Sequence, residues 1–267
     1  MALTKTSPQL SFTQAGESGP RVLLIMGYGM RGNVWKPQID ELSKHCQILY
    51  FDNRGIGESE AIGESISMLE MAQDALRILD HVAWDDDVHI VGVSMGGMVA
   101  QELALHAPNR LASLSLIATH AGGKTAILPA PKGLMRAVSM SFFPAHKRTD
   151  TLVKLLYPKS YLQQCDKEQL YARMKLQTGK PAPKHTMRRQ LAAIRAHDTR
   201  GRLANLQVPT LVVKPEQDIL VRPSHSDELH RRIPGASLMK IADAGHGLIF
   251  QSAKELNQRL LEHFAAA

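Results

Sequence analysis

The chain of 267 residues reads as an α/β protein: a mostly parallel sheet flanked by helices, with a helical cap inserted into it. Three observations predict this. Short apolar runs at 21–26, 47–51 and 88–93, each ended by Gly, Asp or Ser, have the look of strands buried on both faces. Stretches with apolar residues three and four apart alternate with them, as crossover helices do. After Thr119 the strand signal disappears, and it returns only near residue 209.

Taken in order, the first strand runs into Met26-Gly27-Tyr28-Gly29 and the second into Asp52-Asn53-Arg54-Gly55-Ile56-Gly57-Glu58-Ser59. Residues 65–84 place Met68, Met71, Ala72, Ala75, Leu76 and Leu79 on one face of a helix. Strand 88–93 leads through Ser94 into a helix reaching about His106, before Pro108, and 111–118 is the next strand. Residues 121–202 carry six prolines and several short helical patterns but no buried strand. Two more strands, 209–213 and 236–241, precede a last helix over about 247–264. Residues 1–120 with 203–267 thus form the core domain, and 121–202 a mostly helical insertion in it.

The composition, 44% hydrophobic and 21% charged, excludes disordered, collagenous and coiled-coil chains. A domain of this size buries roughly three-quarters of its unfolded surface and needs no disulfide or metal staple. Cys46 and Cys165 lie 119 positions apart in no metal-ligand spacing, as expected of thiols in a reducing compartment. The first ten residues lack the apolar stretch of a secretory leader, and no run approaches the ~18 residues that span a bilayer. Cytoplasm is the expected location. The net charge of +7 is unevenly spread: 121–202 hold 17 Lys+Arg against 4 Asp+Glu, a balance of +13, and the remainder stands at −6. No nucleic-acid motif accompanies these cations, so they read either as a solubilising coat or as a rim that attracts an anionic substrate or an acidic carrier protein.

The chemistry centres on Gly92-Val93-Ser94-Met95-Gly96, a G-x-S-x-G motif between a strand and a helix. Small flanking residues let a strained turn hold the serine hydroxyl clear of the sheet. A serine needs a base, and the base an orienting acid. His246, in Asp243-Ala244-Gly245-His246-Gly247, alone among the 12 histidines combines flanking glycines, a preceding strand and a following helix. His45, His106, His225 and His263 are expected on surfaces or helix ends. Asp218, after the strand ending at Val213, is the expected acid; Glu216 reads as a turn residue and Asp243 as too near His246 in sequence to reach its Nδ1. The oxyanion calls for two donors, the N–H of Met95 at a helix N-terminus and that of Tyr28, with Gly29 as second choice. Met135, Met140, Phe142, Phe143, Leu155, Leu156, Tyr157 and Tyr161 are candidates either for an acyl pocket or for the cap's own core.

On these motifs, and on Trp35 beyond the oxyanion loop, the sequence resembles the α/β-hydrolase superfamily over about 10–265, in its serine esterase form. The elbow around Ser94 is similar to that of small carboxylesterases and 3-oxoadipate enol-lactonases. Residues 28–35 resemble the oxyanion region of esterases that cleave pimeloyl-acyl-carrier-protein methyl esters. One departure stands out: many relatives have His-Gly where this chain has Met26-Gly27. The resemblance implies a helical cap that roofs the site and hydrolysis of an ester, thioester or lactone through an acyl-enzyme, with no metal or organic cofactor. Receptor-like and acyltransferase members of the same fold are the alternative.

Overall fold

The computed structural model describes the chain apart from residues 124–125, 127, 143–144 and 179–181 and the side chains at 137–142, 145–148 and 175–178. Eight strands form one sheet: β1 (Ala2–Leu3), β2 (Ser11–Ala15), β3 (Arg21–Ile25), β4 (Gln47–Phe51), β5 (Val88–Val93), β6 (Leu111–Ile117), β7 (Thr210–Pro215) and β8 (Ser237–Ile241). Their spatial order is β1-β2-β4-β3-β5-β6-β7-β8, with β3 to β8 mutually parallel and β1 and β2 antiparallel at one edge. The two edge strands have no counterpart in the sequence-based expectation, because β2 (SFTQA) mixes polar residues into a half-exposed strand.

The apolar runs are continuous because both faces are covered. Leu23, Ile25, Leu49 and Ile90 join a core with the helices α2 (Met68–His81) and α3 (Met95–His106). Their alternates Val22, Leu24, Ile48, Val91 and Val93 pack with Leu42 of α1 (Lys36–Leu42) and Leu256 and Leu260 of α11 (Ala253–Ala265). The expected helix 65–84 begins later, at Met68. Ser67 caps it, its hydroxyl accepting from the Glu70 N–H at 3.1 Å while the Glu70 carboxylate accepts from the Ser67 N–H at 2.7 Å. The expected terminal helix is divided at Ser252 into α10 (Leu248–Gln251) and α11.

Between β6 and β7 lie five helices: α4 (Pro131–Phe142), α5 (Ala145–Leu156), α6 (Lys159–Gln164), α7 (Lys167–Thr178) and α8 (Lys184–Ala196). Among the described residues the insertion adds only one isolated bridge, Gly122 with Asp198, to the β structure. A ninth helix, α9 (Ser224–Arg232), follows β7. The order of strands reverses around β3, between β4 and β5. Loops leaving the carboxyl ends of these neighbours converge at such a switch point, where open α/β sheets bind ligands.

Candidate active site

Ser94 stands between β5 and α3 with φ 56° and ψ −121°, a conformation that holds roughly 1–3 kcal/mol of strain in a non-glycine residue. Its surroundings explain how the strain is sustained. The Ser94 N–H donates to the Ile117 carbonyl at 2.9 Å, and the Ser94 carbonyl accepts from Thr119 Oγ1 at 2.7 Å. A Cβ on Gly96 would fall 2.1 Å from the Ile25 carbonyl oxygen, and one on Gly92 2.4 Å from that of Gly96. Glycine is thus the residue that lets the start of α3 press against the end of β3.

The expected acid and base meet. Asp218 follows the turn after β7 and is buried; its Oδ1 accepts the N–H groups of Leu220 and Val221 at 2.8 and 3.0 Å. Its Oδ2 lies 2.6 Å from His246 Nδ1. Burial pulls the His246 pKa down from its ordinary 6.5, but the charge of Asp218 and its hydrogen bond together outweigh burial and leave it raised. Glu216 and Asp243, the rival acids, are exposed. Two of the set-aside histidines differ from expectation in burial: His225 and His263 are at helix ends but turned inward, His263 Nε2 lying 3.2 Å from the Leu114 carbonyl.

The loop after β3 is anchored at four points. Asn53 Nδ2 donates to the Met26 carbonyl at 3.0 Å, and the Gly32 N–H donates to Asp52 Oδ1 at 2.7 Å. The Gly29 N–H donates to Gln190 Oε1 of α8 at 3.0 Å, and the Tyr28 hydroxyl donates to the Met187 carbonyl at 3.1 Å. Met26 therefore takes the place of a histidine in a loop held instead from β4 and from the insertion. The Gly29 N–H is committed to Gln190, so it is not a donor to spare. Trp35 is fully buried at the end of a short 3-10 helix, Gly32–Trp35.

Ser94, Tyr28 and His246 open on one cavity of about 460 Å³. The insertion supplies Leu152, Leu156, Tyr157, Met174, Met187, Leu191 and Ile194 to its wall, and Met26, Met30 and Met98 add three more methionines. Among the described lining residues there is no Lys, Arg, Asp or Glu. Of the cap residues singled out from sequence, Leu156 and Tyr157 face the cavity. Leu155 is buried, Tyr161 packs in a small core with Val153 and Leu170, and Met135 is 68% exposed on α4 rather than inside. Met140, Phe142 and Phe143 fall outside the described side chains. Several lining residues, Leu152, Met174 and Met187 among them, were not singled out from sequence, and the one of these that carries a titratable group is His120, three residues beyond β6.

A family model of the α/β-hydrolase fold matches residues 20–253. The chain belongs to the α/β-hydrolase family. Within that family it is 30% identical over 250 residues to the RutD protein of Azorhizobium caulinodans, to which carbamate hydrolysis is ascribed, covering 91% of each chain. It is similar to a thermophilic esterase from Thermogutta terrifontis, at 25% identity and TM-score 0.79, over 97% of this chain and 95% of that one. It shares its fold with the enol-lactonase of Burkholderia xenovorans LB400, at 24% identity and TM-score 0.84, covering 99% and 100%. The chain is thus an α/β hydrolase. Among its described residues no helix is long and apolar enough to cross a membrane, and no group of three or more His, Cys, Asp or Glu is placed to hold a metal.

Proposed function

We propose that this α/β hydrolase cleaves a carboxylic ester, thioester or lactone through an acyl-enzyme formed on Ser94. The observation that carries the reading is the 2.6 Å contact of Asp218 with His246 Nδ1, beside a serine held in the strained elbow of the same cavity. With Nδ1–H donated to the carboxylate, Nε2 keeps its lone pair for the Ser94 proton. Attack on the carbonyl places negative charge on its oxygen, which the N–H groups of Met95 and Tyr28 receive; His246 then protonates the leaving group. Water, deprotonated by the same nitrogen, releases the acid.

The cavity wall supports an apolar acyl part. The positive charge of the cap acts, on this reading, on approach rather than at the reacting centre, drawing an anionic substrate or acidic carrier toward the cleft. A carbamate carbonyl is attacked in the same way, and the 30% identity to RutD makes it the second substrate class to assay. Turnover of p-nitrophenyl acetate and butyrate, compared with Ser94→Ala, is the test. Multiple turnover that depends on Ser94 is expected. Its absence would leave a ligand-sensing role, and ester product formed with an added alcohol in preference to acid would mark an acyltransferase.

A further inference from the structure

Five of the described lining side chains carry a nitrogen or oxygen: Ser94, His246, Tyr28, Tyr157 and His120. Ser94 and His246 are taken up by the proposed chemistry. The Tyr28 hydroxyl is spent on the Met187 carbonyl, and that of Tyr157 pairs with Arg173. His120 is left, and its geometry is determined on one side. The Gly122 N–H donates to His120 Nδ1 at 3.0 Å, so in the neutral ring the proton sits on Nε2. Among the described residues this is the one hydrogen bond found for the ring, and the Nε2 of the neighbouring His225 lacks a partner. The backbone around the ring is rigid: Gln101 Nε2 donates to the His120 carbonyl at 3.0 Å, and Thr119 holds the nucleophile's own carbonyl.

The ring is also held uncharged. Burial, with the nearby His197 and His225, pulls its pKa down to about 3, and the ring centroids lie 6.2 and 5.7 Å away. A neutral N–H in an apolar wall is a poor host for a full negative charge and a good one for a carbonyl or ether oxygen.

We propose that His120 is a specificity-determining residue, its Nε2–H receiving an uncharged acceptor oxygen on the acyl portion of the substrate. The enzyme then favours oxo-acyl or alkoxy-acyl groups over hydrocarbon chains of the same length. This rests on the reading of the cavity as an acyl site, and binding can be measured apart from turnover.

The Ser94→Ala chain is titrated with methyl heptanoate and with its 4-oxo, 5-oxo and 6-oxo derivatives. At least one oxo ester is expected to bind ten-fold or more tightly than the hydrocarbon, with His120→Phe abolishing the preference and His120→Gln, which keeps a donor, retaining part of it. In the otherwise unsubstituted chain, the ¹⁵N resonance of His120 Nε2 should shift with that ester and not with methyl heptanoate, a readout that needs no folded His120 variant. Equal binding of all four esters, or a preference that survives His120→Phe, overturns the proposal. Turnover that persists in Ser94→Ala would instead overturn the nucleophile assignment, leaving the binding preference to be judged on its own.

Discussion

Asp218→Asn is the most exacting perturbation of the proposed mechanism, because the structure dictates how the new amide must sit. Oδ1 of Asp218 accepts two backbone N–H groups, from Leu220 and Val221, at 2.8 and 3.0 Å. Only a carbonyl oxygen can stay there; turning the amide round would set an NH2 against two donors and leave both unsatisfied, at roughly 1–3 kcal/mol each. The NH2 is therefore forced to the Oδ2 position, 2.6 Å from His246 Nδ1. It donates to that nitrogen and so drives the imidazole proton onto Nε2, where it blocks acceptance of the serine proton. Loss of the correct tautomer lowers kcat by about 10⁴, or ~5.5 kcal/mol of barrier. Removing the carboxylate also leaves burial unopposed at His246. Its pKa, raised above 6.5 in the parent protein, then falls below that value, and the acid limb of kcat/KM for the residual activity moves down with it. The assay is kcat and kcat/KM on p-nitrophenyl butyrate from pH 5 to 9, with a thermal melt alongside. The melting temperature should hold, since the two backbone bonds survive. A folded Asp218→Asn protein within ten-fold of the parent kcat would refute the reasoning.

Four further outcomes follow from the same contacts. Gly96→Ala places a Cβ 2.1 Å from the Ile25 carbonyl and should lower stability by at least ~1–3 kcal/mol, seen as a reduced denaturant midpoint. Asn53→Ala removes the donor to the Met26 carbonyl and should reduce kcat for p-nitrophenyl butyrate more than it changes KM, as loosening of the oxyanion loop requires. Burial lowers His120 to about 3 and His197 to about 4, so both rings stay neutral in the fold while the unfolded chain takes up protons near 6.5. Stability is then full above pH 6.5 and lost as pH falls toward those values; at pH 5 the two account for about 4 kcal/mol, and a His120→Gln/His197→Gln double variant should show a shallower fall in melting temperature between pH 7 and 5. An anionic ester should gain kcat/KM over a matched neutral one at low ionic strength and lose the advantage by ~0.5 M salt, with kcat unaffected; equal rates at low salt would remove the steering role of the cap.

The elements that were legible in the sequence are those whose constraint is local. Gly92 answers to one turn of chain, its would-be Cβ falling 2.4 Å from the Gly96 carbonyl oxygen; Gly96 answers to the Ile25 carbonyl of β3, and shows in the sequence because it shares the same five-residue motif. The runs in β3, β4, β5 and β6 are mostly apolar because helices cover both faces. Asp218 was separable from Glu216, which reads as a turn residue, and from Asp243, which is too near His246 in sequence to reach its Nδ1. What could not be read depends on neighbours remote in sequence. Gln190 reaches the Gly29 N–H across 161 positions, and nothing in the residues around either one announces the bond. His120 faces the cavity because β6 lies beside β5, which puts the residues following its carboxyl end next to the elbow. Its neighbours Thr119 and Ala121 are those of an ordinary strand end.

The basic insertion belongs between these two cases. Its excess of cations is plain from a count of residues 121–202. Which way they face is a matter of helix packing, and there the described cavity wall draws from the insertion only apolar side chains and a tyrosine. Charge and pocket are therefore largely separate among the described residues of these helices: Lys154, Lys159, Lys167, Lys184, Arg188 and Arg195 are exposed, whereas Arg173 stacks against the wall, over the Phe250 ring. On the proposed reading a substrate meets them in succession: the field of the insertion acts on its net charge during approach, and the neutral wall with the His120 N–H acts on its acyl chain once inside. The same reading puts an anionic group at the leaving-group end or on a carrier that stays outside, and an uncharged oxygen at the end that is buried.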